Sequence, residues 1–326
     1  MRRLLVTGGA GFIGSHFVEH WLRHGLADRV VVLDALTYAG RRTNLAAVGS
    51  DPRFRFVHGN ICDPAAVEAL LREEALDLLV NFAAETHVDR SIAAPADFVR
   101  TNIDGVASLL DAARRVWLHR SGIPHRFHQI STDEVFGPRP ADAPARDESA
   151  PYAPTSPYAA SKAAADHLVQ SWRRTYGLDA SISYSSNVYG PRQYPEKLIP
   201  VAIRCVLAHE PVPLYGDGQQ RRAWLHVRDF CRAIEMFFRY SAAGSCLYLG
   251  GNQEIANMAL VQKLADIAGR SPSSVIHVAD RAGHDRSYGI SAAAFERISG
   301  FSPEIALERG LADTFDWYQR NSTGTS

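Results

Sequence analysis

Two motifs near the middle of the 326-residue chain carry side chains that can transfer protons. In the first motif, Thr132, Asp133 and Glu134 follow directly on a predicted strand at 127–131. Because neighbouring side chains of a straight strand point to opposite faces, the two carboxyls can serve one site only if the strand ends and the backbone turns there. The segment 138–154 is rich in proline, alanine and acidic residues, which indicates a loop between this motif and the next.

The second motif reads S-P-Y-A-A-S-K and begins at Ser156. Ser156 and Pro157 are predicted to be the N-cap and the first residue of a helix. Tyr158 then lies in the first turn, and Lys162 lies one turn later on the same face. A lysine held beside a phenol favours the phenolate and lowers the tyrosine pKa toward neutrality, as a base that removes an alcohol proton requires. The Y-x-x-x-K spacing alone also occurs in ordinary surface pairs, so this interpretation depends on the rest of the chain.

A glycine-rich loop near the N-terminus is predicted to bind a dinucleotide. Gly8, Gly11 and Gly14 follow a predicted strand at 3–7 and open a helix, and Asp34 ends the next strand. Glycines there allow a tight turn and let backbone amides approach a pyrophosphate, while the carboxylate accepts hydrogen bonds from a ribose diol. Asp34 would repel a 2′-phosphate, so NAD is favoured over NADP.

The elements that must position these motifs alternate between strand and helix. Further strands are predicted at 30–33, 54–58, 78–82, 127–130 and 180–184, and helices at 65–73 and 98–117. The alternation predicts an α/β fold, a Rossmann-type doubly wound parallel sheet with helices on both faces.

From about residue 190 the alternation weakens, and five prolines punctuate shorter elements between 191 and 213. This change predicts a smaller mixed α/β substrate-binding domain. We expect a dinucleotide-binding domain with the catalytic residues at 1–189, a second domain at 190–320 from which the chain can cross back, and a tail at 321–326.

The composition gives no reason to expect a nucleic-acid or membrane partner. The chain carries 35 basic and 35 acidic side chains, and 46% of its residues are hydrophobic. No apolar run approaches the roughly 18 residues of a membrane-spanning helix, and Arg2 and Arg3 lead into a short strand and not into a signal peptide. The four cysteines lie far apart without C-x-x-C spacing, which indicates neither a zinc site nor a disulfide framework and fits a reducing cytoplasm.

Three histidines at helical spacing are candidates for metal ligands. His16, His20 and His24 could line one face of the first helix. The same helix must bury Phe17 and Trp21 against the sheet, and no acid or cysteine completes a site. We therefore expect no metal.

The combined motifs resemble the extended short-chain dehydrogenase/reductases, and within them the dTDP-glucose 4,6-dehydratase family, over nearly the whole length. The matching motifs are T-G-G-A-G-F-I-G-S-H from Thr7, L-D-A-L-T-Y-A-G from Leu33, A-A-E-T-H-V-D-R-S from Ala83, S-T-D-E-V from Ser131, S-P-Y-A-A-S-K from Ser156, Y-G-P-R-Q-Y-P-E-K-L-I-P from Tyr189, Y-G-D-G from Tyr215 and D-R-A-G-H-D from Asp280. The Thr-Asp-Glu triplet is the specific part, because sister epimerases and decarboxylases share the glycine loop and Y-x-x-x-K but differ at that triplet.

The resemblance implies an internal redox reaction on a nucleotide-linked hexose. NAD takes hydride from C4 while Tyr158, assisted by Lys162, takes the proton of the 4-hydroxyl and Thr132 bonds the same oxygen. Glu134 then removes the C5 proton, Asp133 protonates the departing 6-hydroxyl, and the hydride returns to C6. Two adjacent carboxyls with different tasks need different pKa values, which mutual repulsion helps to separate.

The resemblance also implies which residues hold the ligands. The cofactor-binding residues are expected to be Gly8, Gly11, Phe12, Ile13, Gly14, Asp34, Thr37, Asn60, Ile61, Ala83, Ala84, Tyr158 and Lys162. The substrate-binding residues are expected to be Glu85, His87, Asn187, Glu196, Lys197, Leu198, Arg222, Asn257, His284 and Tyr288. A planar arginine fork at Arg222 suits a phosphate, because it can donate two bonds at once.

A homodimer is a further implication of the resemblance. The helix after Asn102 and the Tyr158 helix are expected to pack against their copies as a four-helix bundle. Apolar or small residues at helical spacing could form that interface or could face the protein's own core, namely Leu109, Leu110, Ala113, Val116, Ala164 and Leu168.

The chain departs from the family pattern at several positions. Asn60 replaces an aspartate near the adenine, Phe136 a tyrosine, Tyr184 an arginine and Val188 a second asparagine, while Q-Q-R-R-A-W from Gln219 replaces N-V-R-D-W or N-V-R-E-W. In the last segment Ala223 removes a carboxylate. We expect the later changes to cluster on the substrate side, so that the reaction type is better determined than the nucleotide or the sugar.

Two alternative functions stay open at this point. One is a related nucleotide-sugar epimerase, 5,6-dehydratase or decarboxylase with the same 4-keto chemistry, against which the Thr132 triplet argues. The other is a non-catalytic dinucleotide-binding regulator. Intact Tyr158, Lys162, Asp133 and Glu134 argue against that second alternative, because a binder has no chemical need for all four.

Overall fold

A seven-stranded parallel sheet forms the centre of the protein. The computed structural model describes residues 2–119, 124–140, 143–251, 253–269 and 275–322. The strands of this sheet are β1 (Arg3–Thr7), β2 (Arg29–Asp34), β3 (Phe54–His58), β4 (Leu78–Asn81), β5 (Arg126–Thr132), β6 (Ala180–Ser185) and β10 (Cys246–Leu249). They lie in the order β10-β6-β5-β4-β1-β2-β3. The predicted Rossmann-type sheet is confirmed.

The strand order reverses between β1 and β4, which pair in parallel with Thr7 opposite Asn81. Parallel sheets bind ligands in the crevice outside the carboxyl ends of the strands at such a reversal. The ends of β1, β4, β5 and β6 therefore define where a site can form. The strand ends are also where the sequence places its glycine loop and its acidic triplet.

Helices cover both faces of the sheet. The helices are α1 (Phe12–Arg23), α2 (Pro64–Glu73), α3 (Val88–Ala93), α4 (Pro95–Phe98), α5 (Gly105–Trp117), α6 (Pro157–Tyr176), α7 (Leu198–Ala208), α8 (Val227–Tyr240), α9 (Asn257–Ile267), α10 (Ala293–Ser299) and α11 (Leu307–Ser322). On one face, Phe17 and Trp21 of α1 pack with Phe230 and Phe237 of α8. On the other face, α2, α5 and α6 bury a second apolar layer that includes Leu109. No helix in the described part of the chain is long and apolar enough to cross a membrane.

A smaller unit contains the remaining strands. These are β7 (Asn187–Tyr189), β8 (Val212–Tyr215), β9 (Arg221–His226), β11 (Glu254–Ala256) and β12 (Val275–Val278). They form a three-stranded sheet in the order β11-β9-β7 and a two-stranded sheet of β8 and β12. Helices α7, α9 and α11 share a separate apolar core with these strands.

The chain crosses back to the large sheet after residue 190. Strand β10 pairs in parallel with β6, with Cys246 opposite Ile182, and α8 packs on the α1 face. Residues 190–320 therefore contribute to both units. Of the predicted tail, Asn321 and Ser322 complete α11, and 323–326 lie outside the described residues.

The predicted helix at 98–117 is interrupted. Residues Val99–Asp104 form a π-helical turn between α4 and α5. The wider turn places Asn102 where its amide donates to the Glu85 carbonyl at 3.0 Å and to the Ser161 hydroxyl at 2.8 Å. Such π turns are rare and commonly mark functional sites. Periodicity alone could not separate this turn from an α-helix of the same length.

Candidate active site

The glycine loop closes tightly between β1 and α1. Gly8 has φ +69°, and a Cβ atom on it would stand 2.6 Å from the Ala83 nitrogen. A Cβ on Gly14 would collide with the Gly8 carbonyl oxygen. In the described part of the chain, no side chain caps the N-terminus of α1, which follows Gly11. Its first amides are therefore available to a negatively charged group such as a pyrophosphate.

Asp34 ends β2 beside this loop. Its two carboxylate oxygens each accept one backbone amide at 2.8 Å, from Ala10 and from Leu36. Burial raises the pKa of Asp34, and these two amide bonds oppose that shift. Each oxygen keeps lone-pair capacity for a further donor, such as a ribose hydroxyl.

Two adjoining cavities of about 260 Å³ and 120 Å³ follow the carboxyl ends of the strands and share Gly8 and Gly11. All the predicted cofactor-binding residues line one or the other. Gly8, Gly11, Phe12, Ile13, Gly14, Tyr158 and Lys162 line the larger cavity, and Asp34, Thr37, Asn60, Ile61, Ala83 and Ala84 line the smaller one. The residues present thus form a continuous lining suited to a dinucleotide. We call the larger cavity the cleft.

The acidic triplet turns as the sequence requires. Strand β5 ends at Thr132, and Asp133–Phe136 form a 3₁₀ turn whose Glu134 amide donates to the Thr132 hydroxyl oxygen at 3.3 Å. Asp133 and Glu134 consequently line the same cleft. The Thr132 hydroxyl also lies 3.4 Å from Asp133 Oδ1. The predicted end of the strand is confirmed.

The two carboxyls differ in their charged neighbours. Burial and the charge of Glu134 raise the pKa of Asp133 to about 8, and Arg222 opposes the shift. Burial also raises the pKa of Glu134, but the cations of Arg222, Arg281 and Lys197 oppose it. At neutral pH the geometry thus favours a protonated Asp133 beside a Glu134 that three cations help to ionise.

Helix α6 begins as predicted, with the Ser156 hydroxyl accepting the Ala159 amide at 3.1 Å and Pro157 in the first turn. Tyr158 and Lys162 both line the cleft together with Thr132, whose hydroxyl lowers the pKa of Tyr158 against the larger effect of burial. Lys162 Nζ donates to the Ile130 carbonyl at 2.7 Å.

The predicted lowering of the tyrosine pKa is wrong. Burial and the charge of Glu134 raise the pKa of Tyr158 well above its ordinary value. Burial also lowers the pKa of Lys162 to about 8. The physical reason is that the phenol faces carboxylates in a dry site, while the ammonium is turned toward a backbone carbonyl.

Asp166 was missed by the sequence analysis. It is fully buried one turn after Lys162, whose charged form it favours. Its Oδ2 accepts the Ser131 hydroxyl at 2.5 Å and the Tyr152 hydroxyl at 3.4 Å, and burial raises its pKa to about 7. The i, i+4 spacing of lysine and aspartate was the available signal.

The predicted substrate residues fall into two groups. Asn187, Glu196 and Lys197 line the cleft, and Glu85 lines the smaller cavity. Lys197 Nζ donates to the Thr86 carbonyl at 3.0 Å, which joins the small unit to the loop after β4. His87 does not line the cleft itself, and its Nε2 lies 3.8 Å from a Glu196 oxygen.

The second group belongs to the small unit and stands behind the cleft wall. The Arg222 guanidinium donates to the Asp285 carbonyl at 2.9 Å and lies 4.6 Å from the ring centre of Tyr288. His284 Nδ1 lies 2.5 Å from Asp280. Asn257 begins α9, and its side-chain oxygen is buried without a partner among the described residues. Leu198 packs against the apolar core of the small unit.

The departures from the family pattern do not all lie on the substrate side. Val188 lines the cleft, but Tyr184 is buried in β6 with its hydroxyl 2.6 Å from that of Tyr152. The Tyr184 ring packs edge-on to Phe136, with the centroids 5.0 Å apart. The expectation is wrong for Tyr184, because the alternation of β6 turns this side chain toward the α6 face.

Most of the apolar residues considered for a dimer interface face the protein's own core. Leu109, Leu110, Ala113 and Val116 are fully buried within the chain, and these four positions therefore give no support to a dimer. Ala164 is only partly buried, and Leu168 packs at the edge of the same core.

The histidines of α1 make contacts within the protein. His16 contacts the Pro191 carbonyl and Arg192, and His20 Nε2 lies 2.8 Å from Glu235. Burial lowers the pKa of His16 to about 3. These contacts account for the histidine spacing without a ligand.

Comparison with known proteins gives consistent relatives. The model of the GDP-mannose 4,6 dehydratase family matches residues 5–314. A dTDP-glucose 4,6-dehydratase of Streptomyces niveus is 47% identical over 323 residues, covering 98% of this chain and 93% of that protein. One from Neisseria meningitidis serogroup B is 44% identical over 337 residues, covering 99% and 95%.

Comparison with solved structures gives relatives of the same kind. DesIV, a dTDP-glucose 4,6-dehydratase from Streptomyces venezuelae solved with NAD and dTDP bound, is 46% identical, with a TM-score of 0.92 over 98% of both chains. A Thermus thermophilus UDP-glucose 4-epimerase in complex with NAD is 30% identical, with a TM-score of 0.87 over 98% of this chain and 99% of that one.

Proposed function

The chain belongs to the GDP-mannose 4,6-dehydratase family, and from that premise we propose that it is an NAD-dependent dTDP-glucose 4,6-dehydratase that forms dTDP-4-keto-6-deoxyglucose and water. The observation that carries the proposal is the convergence of Thr132, Asp133, Glu134 and Tyr158 on one cleft beside the glycine loop. A dehydrogenase would need the tyrosine, but it would not need two carboxyls in the same cleft with different charged neighbours.

The residues of the cofactor end fit NAD. The amides after Gly11 would hold the pyrophosphate and Asp34 the adenosine ribose, while Tyr158 and Lys162 reach the nicotinamide end of the cleft. When bound, NAD would supply a reversible hydride acceptor and a positively charged ring at this end.

Tyr158 acts as the base for the 4-hydroxyl. Thr132 lines the same cleft as Tyr158, which supports a role for both side chains at the same sugar oxygen. The phenol needs positive charge to ionise in this buried site, and Lys162 is the cation that the chain supplies, held charged by Asp166. Asp166 is thus a positioning residue that acts through Lys162.

Asp133 and Glu134 divide the elimination between them. The 4-ketone acidifies the C5 hydrogen, which the ionised Glu134 removes, while the protonated Asp133 gives its proton to the departing 6-hydroxyl. After the hydride reaches C6, Glu134 returns the proton to C5. Separate proton affinities for two adjacent carboxyls are the general device for combining acid and base catalysis in one site.

The small unit binds the nucleotide diphosphate in this proposal. Lys197 and Asn187 line the cleft directly. Arg222 places its charge near Glu134, but carbonyl groups already occupy part of its fork. Arg222 therefore acts on the substrate through the charge balance of the two acids, while Lys197 and Asn187 face the nucleotide diphosphate.

The direct test is incubation of the purified protein with dTDP-, UDP-, CDP- and GDP-glucose, followed by mass spectrometry for loss of water. We expect loss of water from dTDP-glucose above the other three, and a product that absorbs near-ultraviolet light in alkali. A product of unchanged mass would indicate an epimerase. No change with any of the four would indicate a binder.

We also propose a homodimer and a cytoplasmic location. The dimer is supported by the resemblance alone, since the apolar positions weighed for it are largely internal. The four cysteines are free thiols, which suits a reducing compartment. Light scattering at micromolar concentration should give twice the mass of the chain, and a monomer would contradict the proposal.

A further inference from the structure

The reaction proposed above does not return two residues to their starting protonation states. Tyr158 gains the proton of the 4-hydroxyl, and Asp133 loses its proton to the 6-hydroxyl, which departs as water. Glu134 takes a proton from C5 and returns it, and the hydride that leaves C4 arrives at C6. Each turnover therefore ends with Asp133 one proton short and Tyr158 one proton over. Asp133 must be protonated again before the next elimination.

A separate cavity of about 460 Å³ lies on the far side of Asp133. Asp133 lines both this back cavity and the cleft. The back cavity is also lined by Arg139, Ala223 and Glu254, and it reaches the surface at the exposed side chain of Arg221. Liquid water takes up about 30 Å³ per molecule, so the back cavity has room for several waters between Asp133 and solvent.

Proton-carrying groups stand on the wall of the back cavity. Glu254 accepts from Arg139 Nη2 at 3.1 Å and from the Ser287 hydroxyl at 2.8 Å. The charge of Glu254 also acts on Asp133, together with Glu134 and Arg222. A carboxyl that shares a cavity lining with a buried acid is placed to pass a proton to it through water in that cavity.

Ala223 leaves this space open. It sits in β9 opposite Glu254 of β11, and its side chain lines the back cavity. The small side chain leaves Glu254 as the carboxyl that lines the cavity beside Asp133 in the described part of the chain.

We propose that Asp133 is reprotonated from solvent through the back cavity, by water held between Glu254 and Asp133, while the nucleotide still fills the cleft. This inference rests on the proposed function. An internal route is the alternative, because Tyr158, Thr132 and Asp133 line the same cleft and the Thr132 hydroxyl lies 3.4 Å from Asp133 Oδ1, so that the excess proton could pass between them. The two routes differ in whether blocking the back cavity slows turnover.

The test fills the back cavity and separates the first turnover from later ones. In the holoenzyme, Ala223→Leu should eliminate water from dTDP-glucose at the wild-type rate once, because Asp133 begins protonated. Loss of a proton-transfer group costs about 10²- to 10⁴-fold, and a narrowed supply costs less, so we expect steady-state turnover to fall by about tenfold. Rapid-quench analysis with excess substrate should therefore show a burst of one product per site. The exposed Ala243→Leu, far from the cavity, is the matched control and should show no burst.

Glu254→Gln tests the same route without added bulk. It keeps the shape of the side chain but cannot relay a proton, and it should also give a burst that small buffer acids such as imidazole relieve. Equal first-turnover and steady-state rates in both variants would overturn the proposal in favour of the internal route or the cleft. A first turnover slowed as much as the steady state would also overturn it. Absence of water loss from the wild-type protein would instead refute the proposed function.

Discussion

The two ends of the cleft are formed by different kinds of chemical group. The glycine-loop end, together with the smaller cavity that adjoins it, is made mainly of backbone, with a helix N-terminus, tight glycine contacts and one carboxylate bonded to two amides. The other end is made of buried ionisable side chains, and the pKa values of Asp133 and Glu134 depend on Arg222, which comes from a different unit of the fold. Steric rules within a short segment govern the first end. Burial, modified by charges from residues far along the chain, governs the second.

The largest expected effect separates the two halves of the chemistry at the ionisable end. Glu134→Gln removes the base but keeps its size, so dehydration should fall by about two to four orders of magnitude. Oxidation at C4 should survive, which absorbance of bound NADH would show after substrate is added. Tyr158→Phe should give little NADH, because the first step needs that base. Equal loss of NADH in both variants would remove Glu134 from its proposed role.

A smaller effect is expected at the backbone end. In Gly8→Val a Cβ would meet the Ala83 backbone, and the residue would be held at φ +69°. Strain of this kind costs about 1–3 kcal/mol, so NAD affinity should weaken by roughly ten- to a hundredfold. Titration calorimetry with NAD measures this change. Gly25→Ala is the control, because it also has positive φ but meets no atom within 4 Å. An unchanged NAD affinity in Gly8→Val would show that the tight backbone geometry of the glycine loop does not govern NAD binding.

Removal of Arg222 should change the pH dependence of kcat, because its charge acts on both acids of the ionisable end. Arg222 lowers the pKa values of Glu134 and Asp133, so Arg222→Met should raise both. Glu134 must be ionised and Asp133 protonated, and both limbs of the pH profile of kcat should therefore move to higher pH. Arg281 and Lys197 still face Glu134, which limits the shift. Exposed Arg286→Met, which loses only its surface pair with Asp217, should leave the profile in place.

The smallest effect on turnover is expected from substitutions of the tyrosines that pack behind the site. Tyr184→Phe removes a buried hydroxyl that bonds Tyr152 and should cost about 0.5–1.5 kcal/mol of unfolding free energy. Turnover should change little, because Tyr184 touches no residue of the cleft wall through its hydroxyl. Tyr152→Phe also loses the contact with Asp166 and should lower kcat further. Denaturant titration and steady-state assays distinguish the two variants, and a large loss of activity in Tyr184→Phe would contradict this account.

The features that could be predicted from the sequence are those that a few neighbouring residues determine. The glycine loop, the turn after Thr132 and the N-cap at Ser156 follow from steric and hydrogen-bonding preferences of a few neighbouring residues, and the structure has all three. The alternation of strands and helices likewise predicted the parallel sheet.

The features that could not be predicted depend on contacts with residues that are distant along the chain. The pKa of Tyr158 is set by burial and by Glu134, and motif spacing carries no measure of either. Tyr184 was expected on the substrate side from the family resemblance, but the alternation of β6 turns its side chain toward the α6 face, away from the cleft that Val188 lines. Asp166 was overlooked because its role appears only through the group it contacts.

The return of β10 to the large sheet limits how this protein can be recombined with its relatives. An exchange of everything after residue 190 would replace an edge strand that pairs with β6 and a helix that packs on α1, together with the substrate-facing strands. A chimera intended to change nucleotide preference should therefore graft the segments around β7–β9 and β11–β12 separately and retain the native α8 and β10. Specificity in this fold is transferable as discontinuous inserts on a fixed frame, and not as one contiguous module.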